Sequence, residues 1–232
     1  MEKDLSKNIF IRELAGRHRV VLLGGMAVIA HGLSRHTKDF DVWLEPFGSP
    51  AEWASNLCEV VQSLPGARLW SLARRCAIAP GEVAEEISAY DVLRVEGFGL
   101  PVDVFRKPNE TELEAFESVW AAAQPMEDGV RLPDEIDLFL TKSETGREHD
   151  WDDQSFLTAK VKSRARARLP VCDPIEGLGL IKRYADPEVL AFALESPHAE
   201  VRDYALKLLH EFEAEGDPYS RDILAAWRQR TA

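Results

Sequence analysis

Residues 19–44 read RVVLLGGMAVIAHGLSRHTKDFDVWL, and the order of patterns in them decides the fold. Arg19 to Leu23 is a short β-branched run that stops at Gly24-Gly25. A short helix over about Met26 to Gly32 follows. Then Phe40, Val42 and Leu44 alternate with Asp39, Asp41 and Trp43, a period of two. That alternation predicts a half-buried strand with its acids on the open face. Strand, glycine turn, helix, basic turn and acidic strand thus occupy one short stretch.

Outward from this stretch, Ser49-Pro50-Ala51-Glu52 predicts a helix start. Ser49 is the N-cap, Pro50 sits at the first helical position, and Glu52 completes a capping box. The helix runs to about Leu64 and ends at Pro65-Gly66. Arg68 to Ala73 reads as a strand. Ile87 to Val95 and Leu100 to Phe105 read as a hairpin joined at Gly97-Phe98-Gly99. The second half is mostly helical: Glu110 to Ala123 with Asn109 as cap, Asp134 to Glu144, and Asp150 to Arg168. Pro174, Pro187, Pro197 and Pro218 each mark a helix start in the last stretch. The pattern predicts an α+β fold, a small mixed sheet with packing helices. A helical C-terminal region over 170–232 follows a first domain over 1–169, with the boundary at Leu169-Pro170.

The whole chain has 232 residues, 28 Lys plus Arg against 40 Asp plus Glu, and a formal charge of −12. That composition is globular, and the acidic balance argues against a broad, non-specific grip on nucleic acid. Cys58, Cys76 and Cys172 are an odd count without metal-ligand spacing, which fits a reducing compartment and not a disulfide scaffold. No targeting or membrane segment is visible, so the expectation is a cytoplasmic protein without a membrane partner.

Asp39 and Asp41 stand two apart on a strand, so their side chains point the same way with Cα atoms about 6.6–7 Å apart. Two such carboxylates can converge on one or two divalent ions. Asp103, inside the apolar run Pro101-Val102-Asp103-Val104, is the candidate third ligand. An acid so placed needs a cation or a hydrogen-bond donor. An oxygen-only cage of three carboxylates suits Mg²⁺. Gly24 and Gly25 allow close approach of a ligand to backbone at a helix start, and Arg35 and Lys38 are placed to meet a polyphosphate. Trp43 either stacks on a base or packs against an adjoining helix. His31 reads as a hydrogen-bonded structural residue. Lys160, Lys162, Arg164, Arg166 and Arg168 form either a solvated face or a patch that steers a polyanion.

Leu23-Gly24-Gly25-Met26-Ala27, His31-Gly32, Arg35, Thr37, Asp39-Phe40-Asp41 and Asp103 together resemble the polymerase-β-like nucleotidyltransferase superfamily. The resemblance is to its small bacterial branch, which includes abortive-infection toxin nucleotidyltransferases. Thr141-Lys142, Arg147, Asp150 and Asp153 are similar to that branch's helical block. Many members carry serine at the position of Gly25 and lysine at that of His149. The resemblance implies two Mg²⁺ ions held by Asp39, Asp41 and Asp103, and a nucleoside triphosphate as substrate. It implies phosphate contacts from Gly24, Gly25 and Lys142. It also implies transfer of a nucleoside monophosphate to a hydroxyl of RNA, protein or a small molecule, and a neutralising partner protein. The alternative is a non-catalytic nucleotide- or partner-binding module on the same fold.

Overall fold

The computed structural model describes residues 8–108, 111–142 and 148–231. Two compact units make up the chain, Met1–Leu157 and Thr158–Ala232. The division falls inside a helix, Glu148–Arg168, and not at Leu169-Pro170. The proline there ends that helix, which is why the composition break precedes no new unit.

The first unit is built on one mixed sheet. Its strands are β1 (Val20–Leu23), β2 (Phe40–Leu44), β3 (Arg68–Ser71), β4 (Cys76–Ala77), β5 (Val92–Glu96), β6 (Val102–Phe105), β7 (Gln124–Pro125) and β8 (Val130–Leu132). They lie in the order β4-β3-β5-β6-β2-β1-β8-β7. β2 pairs in parallel with β6 and antiparallel with β1, and β5 pairs antiparallel with β6. The helices are α1 (Ile9–Ala15), α2 (Gly24–Ala30), α3 (Pro50–Gln62), α4 (Val83–Tyr90), α5 (Ala115–Ala122), α6 (Glu135–Leu140) and the start of α7 (Glu148–Arg168).

Both faces of the sheet centre are covered, so β1 is buried along its whole length and shows no alternation. On one face Val20, Leu22, Val42, Leu44, Val102 and Val104 join a large core with Phe10 and Leu14 of α1 and Trp53 and Leu57 of α3. The Ser49 capping box forms as the sequence requires, with the Ser49 N–H donating to Glu52 Oε2 at 2.7 Å. On the other face Val21, Leu23 and Trp43 pack with Phe116 and Val119 of α5. The open acidic face expected of β2 is therefore open only at its N-terminal end.

Two further elements differ from the sequence reading. Residues Ile87 to Tyr90 belong to α4, and the strand starts only at Val92. Asp91 ends that helix in the left-handed conformation, at φ 53°, an Asp/Asn capping conformation that the apolar periodicity does not register. The next helix begins at Ala115 and not near Glu110, since residues 111–114 are turn and irregular chain; Asn109 and Glu110 lie outside the described residues.

The second unit is helical throughout its described residues. The end of α7 is followed by α8 (Pro174–Arg183), α9 (Pro187–Ala193), α10 (Ala199–Ala214) and α11 (Pro218–Thr231). Asp173 and Asp186 cap α8 and α9, each followed by proline at the first helical position. Leu169, Ile181, Leu190, Val201, Leu209 and Leu224 form its own core. Lys162 pairs with Asp186 at 3.2 Å and Glu188 at 3.0 Å, and Arg168 forks onto Glu176 at 2.9 and 2.6 Å. Internal pairing of these two cations favours the solvated-face reading of the basic run.

Among the described residues, no helix is long and apolar enough to cross a membrane.

Candidate active site

Four neighbouring strands set the site. Arg94 on β5 is the register partner of Asp103 on β6, Asp103 of Asp41 on β2, and Asp41 of Leu23 on β1. Lateral partners in a sheet share a face, so Arg94, Asp103, Asp41 and Leu23 form one row across it. Asp39 stands one residue before β2. It reaches the same face, because Arg94 Nη2 donates to Asp39 Oδ2 at 3.3 Å and to Asp103 Oδ2 at 2.9 Å. Arg94 Nε completes a two-pronged contact with Asp103 Oδ1 at 2.7 Å. Hydrogen bonding to Asp103 raises the Arg94 pKa.

Asp41 lies between these acids and the glycine turn. Burial pushes its carboxyl up to about 7, and the neighbouring Asp39 and Asp103 charges push in the same direction; Lys142 and Arg94 oppose them. Gly24 adopts φ +60°, and a Cβ there would overlap the Asp41 carboxylate. Gly24 is therefore needed twice, for its left-handed backbone and for the approach of Asp41. A Cβ on Gly25 would stand 2.9 Å from Thr37 Oγ1 and 3.1 Å from Arg35 Nη2. The two glycines let the 35–41 segment close onto the turn. Thr37 Oγ1 in turn lies 3.3 Å from Asp39 Oδ1 and 3.2 Å from the Asp39 carbonyl oxygen, steadying the bend before β2.

The basic residues have different fates. Arg35 and Lys142 converge on the fully buried Asp153, with Lys142 Nζ at 2.7 Å from Oδ2 and Arg35 Nη1 bonded to the same oxygen. Asp153 Oδ1 is buried without a hydrogen-bond partner. Arg35 is thus bound to a carboxylate, where the sequence suggested a polyphosphate ligand. Lys38 is exposed. Arg147 and the side chains of His149 and Asp150 lie outside the described residues.

Trp43 is fully buried, edge-on to Phe116 at 5.2 Å between ring centroids, and its indole N–H donates to the Arg106 carbonyl at 3.0 Å. It packs against a helix, the second of its two expected roles. His31 Nε2–H donates to the Pro133 carbonyl at 2.9 Å, a structural tie between α2 and the approach to α6. Beside the acid row, a cavity of about 280 Å³ is lined by Leu23, Trp43, Ala115, Val119, Pro133 and Leu140, among others.

Among the described residues, no three His, Cys, Asp or Glu side chains form a group that could hold a metal ion as they stand. The donor set nevertheless fits a hard divalent cation in its chemistry: oxygen ligands only, with Asp41 pushed up by burial first and then by two neighbouring acids. The guanidinium of Arg94 takes two of those acids. Sequence reasoning missed Arg94. Its signal is the hairpin register, which brings Arg94 opposite Asp103 only when the turn is centred between Phe98 and Gly99.

No protein-family model matches the chain, and no curated protein matches it.

Proposed function

We propose that the chain is a metal-dependent nucleotidyltransferase, moving a nucleoside monophosphate from a nucleoside triphosphate onto an acceptor hydroxyl. One observation carries this reading: Asp41 and Asp103 are lateral partners on adjoining strands, with Asp39 on the same face and Gly24 against Asp41. Three carboxylates gathered beside a strand–glycine–helix turn are more than a structural ion pair requires.

Asp39, Asp41 and Asp103 would hold Mg²⁺, two ions by resemblance to the superfamily. When bound, the metal neutralises charge on the attacking and leaving oxygens. The acceptor hydroxyl would give its proton to solvent as its oxygen bonds to the α-phosphorus, and the bond to the leaving pyrophosphate would break. Lys142, fixed by Asp153, keeps a positive charge on the side of Asp41. Lys38 and the backbone at Gly24 and Gly25 would meet phosphate. The apolar cavity at Leu23 and Trp43 offers the nucleobase a seat out of water. The acceptor is RNA, a protein or a small molecule; resemblance to toxins favours a macromolecule.

A second reading draws on the hold of Arg94 over Asp39 and Asp103. A module that binds a nucleotide or partner without catalysis would keep these residues as structural ion pairs.

Transfer from each of the four α-³²P-labelled triphosphates, in Mg²⁺ and cell lysate, separates the two. The enzyme reading expects label on RNA, protein or a small molecule, lost in Asp39→Asn plus Asp41→Asn. No Mg²⁺-dependent label with any nucleotide leaves the binding module.

A further inference from the structure

We propose that Arg94 is a resident counter-ion of the acid set, and that a divalent cation binds by displacing its guanidinium from Asp39 and Asp103. This inference rests on the reading of those acids as metal ligands.

The geometry is that of a cation already in place. The guanidinium contacts both oxygens of Asp103, at 2.7 and 2.9 Å, and one oxygen of Asp39, at 3.3 Å. A paired fork of this kind occupies the in-plane lone pairs that an inner-sphere metal ion would use. Arginine and metal therefore compete for the same oxygens. Asp103 is buried, and a bare carboxylate there is costly, so a cation or hydrogen-bond donors have to stand beside it in the metal-free protein. Arg94 fills that need from the adjacent strand.

The guanidinium also has somewhere to go. Its side chain is 23% exposed, more than that of Asp103, so it has an edge on solvent. Glu96, two residues along β5 and hence on the same face, acts on it electrostatically and offers another carboxylate. Exchange replaces one positive charge by two among three carboxylates, which favours the metal on charge. The cost is breaking the fork. Metal affinity in this protein is thus set partly by an arginine that ligates nothing.

The opposite role is equally concrete. Arg94 could be the clamp that keeps Asp39 and Asp103 converged, and its loss would then weaken metal binding. Mn²⁺ titration by calorimetry of the full chain, stripped of metal, distinguishes the two with Arg94→Gln and Arg94→Lys, after circular dichroism has shown that each is folded. Lysine keeps the charge but loses the fork, so it remains informative if the glutamine variant does not fold. Displacement predicts Mn²⁺ binding on the order of tenfold tighter in Arg94→Gln than in the unaltered protein, with Arg94→Lys between them. It also predicts a larger metal-induced rise in Tm for Arg94→Gln. If the unaltered protein binds Mn²⁺ and both variants bind it equally or more weakly, the displacement is wrong while the ligand reading stands. If none of the three binds Mn²⁺ at millimolar concentration, both fail.

Discussion

Among the described glycines, Gly24 leaves the least room for a Cβ, because Asp41 stands against it. An alanine at position 24 would strain a backbone at φ +60° and collide with the Asp41 carboxylate. Gly24→Ala is expected to cost about 2–4 kcal/mol in denaturant unfolding, the sum of a left-handed backbone penalty and an overpacked contact. Asp41 itself gives a pH signature. Its folded pKa of about 7 lies above the ordinary 3.8, so the folded protein holds that proton more tightly than the unfolded chain does. Metal-free stability contributed by Asp41 is therefore greatest below pH 3.8, falls as pH rises towards 7, and is flat above. Asp41→Asn should remove this slope. In chelator, the variant should exceed the unaltered protein in stability above pH 7 by on the order of a few kcal/mol, with the difference shrinking towards pH 4. A constant difference across that range would mean that Asp41 is already ionised.

At this scale the acids and Gly24 were legible in the sequence, because a period of two and a strand–glycine boundary are local signals. Arg94 was not. Its partner lies across a hairpin, and moving the turn by a single residue would place a different side chain opposite Asp103. The role of Arg35 was hidden for a related reason: its carboxylate partner, Asp153, lies 118 residues away in sequence.

Elements meet at Asp153. The start of α7, the turn after α6 and the segment before β2 are joined there by one buried carboxylate with two cations on one oxygen. Removing the charge takes from Arg35 and the nearly buried Lys142 the carboxylate oxygen they share. Asp153→Asn is expected to destabilise the protein by about 3 kcal/mol, measured by urea unfolding. A loss under about 1 kcal/mol would be that of a surface pair and would contradict the buried-anchor account. Most elements could be read from sequence where their ends carry side-chain chemistry, as the Ser49 capping box does for α3. The short strands β4, β7 and β8 have no such ends. Each has two or three residues and exists only because a neighbour pairs with it. The boundary between α4 and β5 was missed because Val, Ile and Leu suit either element there, and the sheet decides.

The whole molecule has two units with separate cores. Leu190 is fully buried in the second. Leu190→Ala is expected to cost about 2–5 kcal/mol, and amide hydrogen exchange should rise mainly within 158–232. Equal acceleration over 8–157 would instead mean that the chain unfolds as one cooperative body. The division at Leu157 was invisible to composition, since the helix runs through it with uninterrupted charge patterning, while the proline at 170 marks only that helix's end.

The central claim is that Asp39, Asp41 and Asp103 act together on a divalent ion and a triphosphate. Calorimetric titration of ATP, GTP, CTP and UTP into the full chain, with Mg²⁺ and with chelator, tests it most directly. At least one triphosphate should bind at least tenfold more tightly with Mg²⁺, and Asp39→Asn plus Asp41→Asn should erase that gain. Equal affinity with and without Mg²⁺ for every nucleotide, or a gain that survives the double substitution, would contradict it.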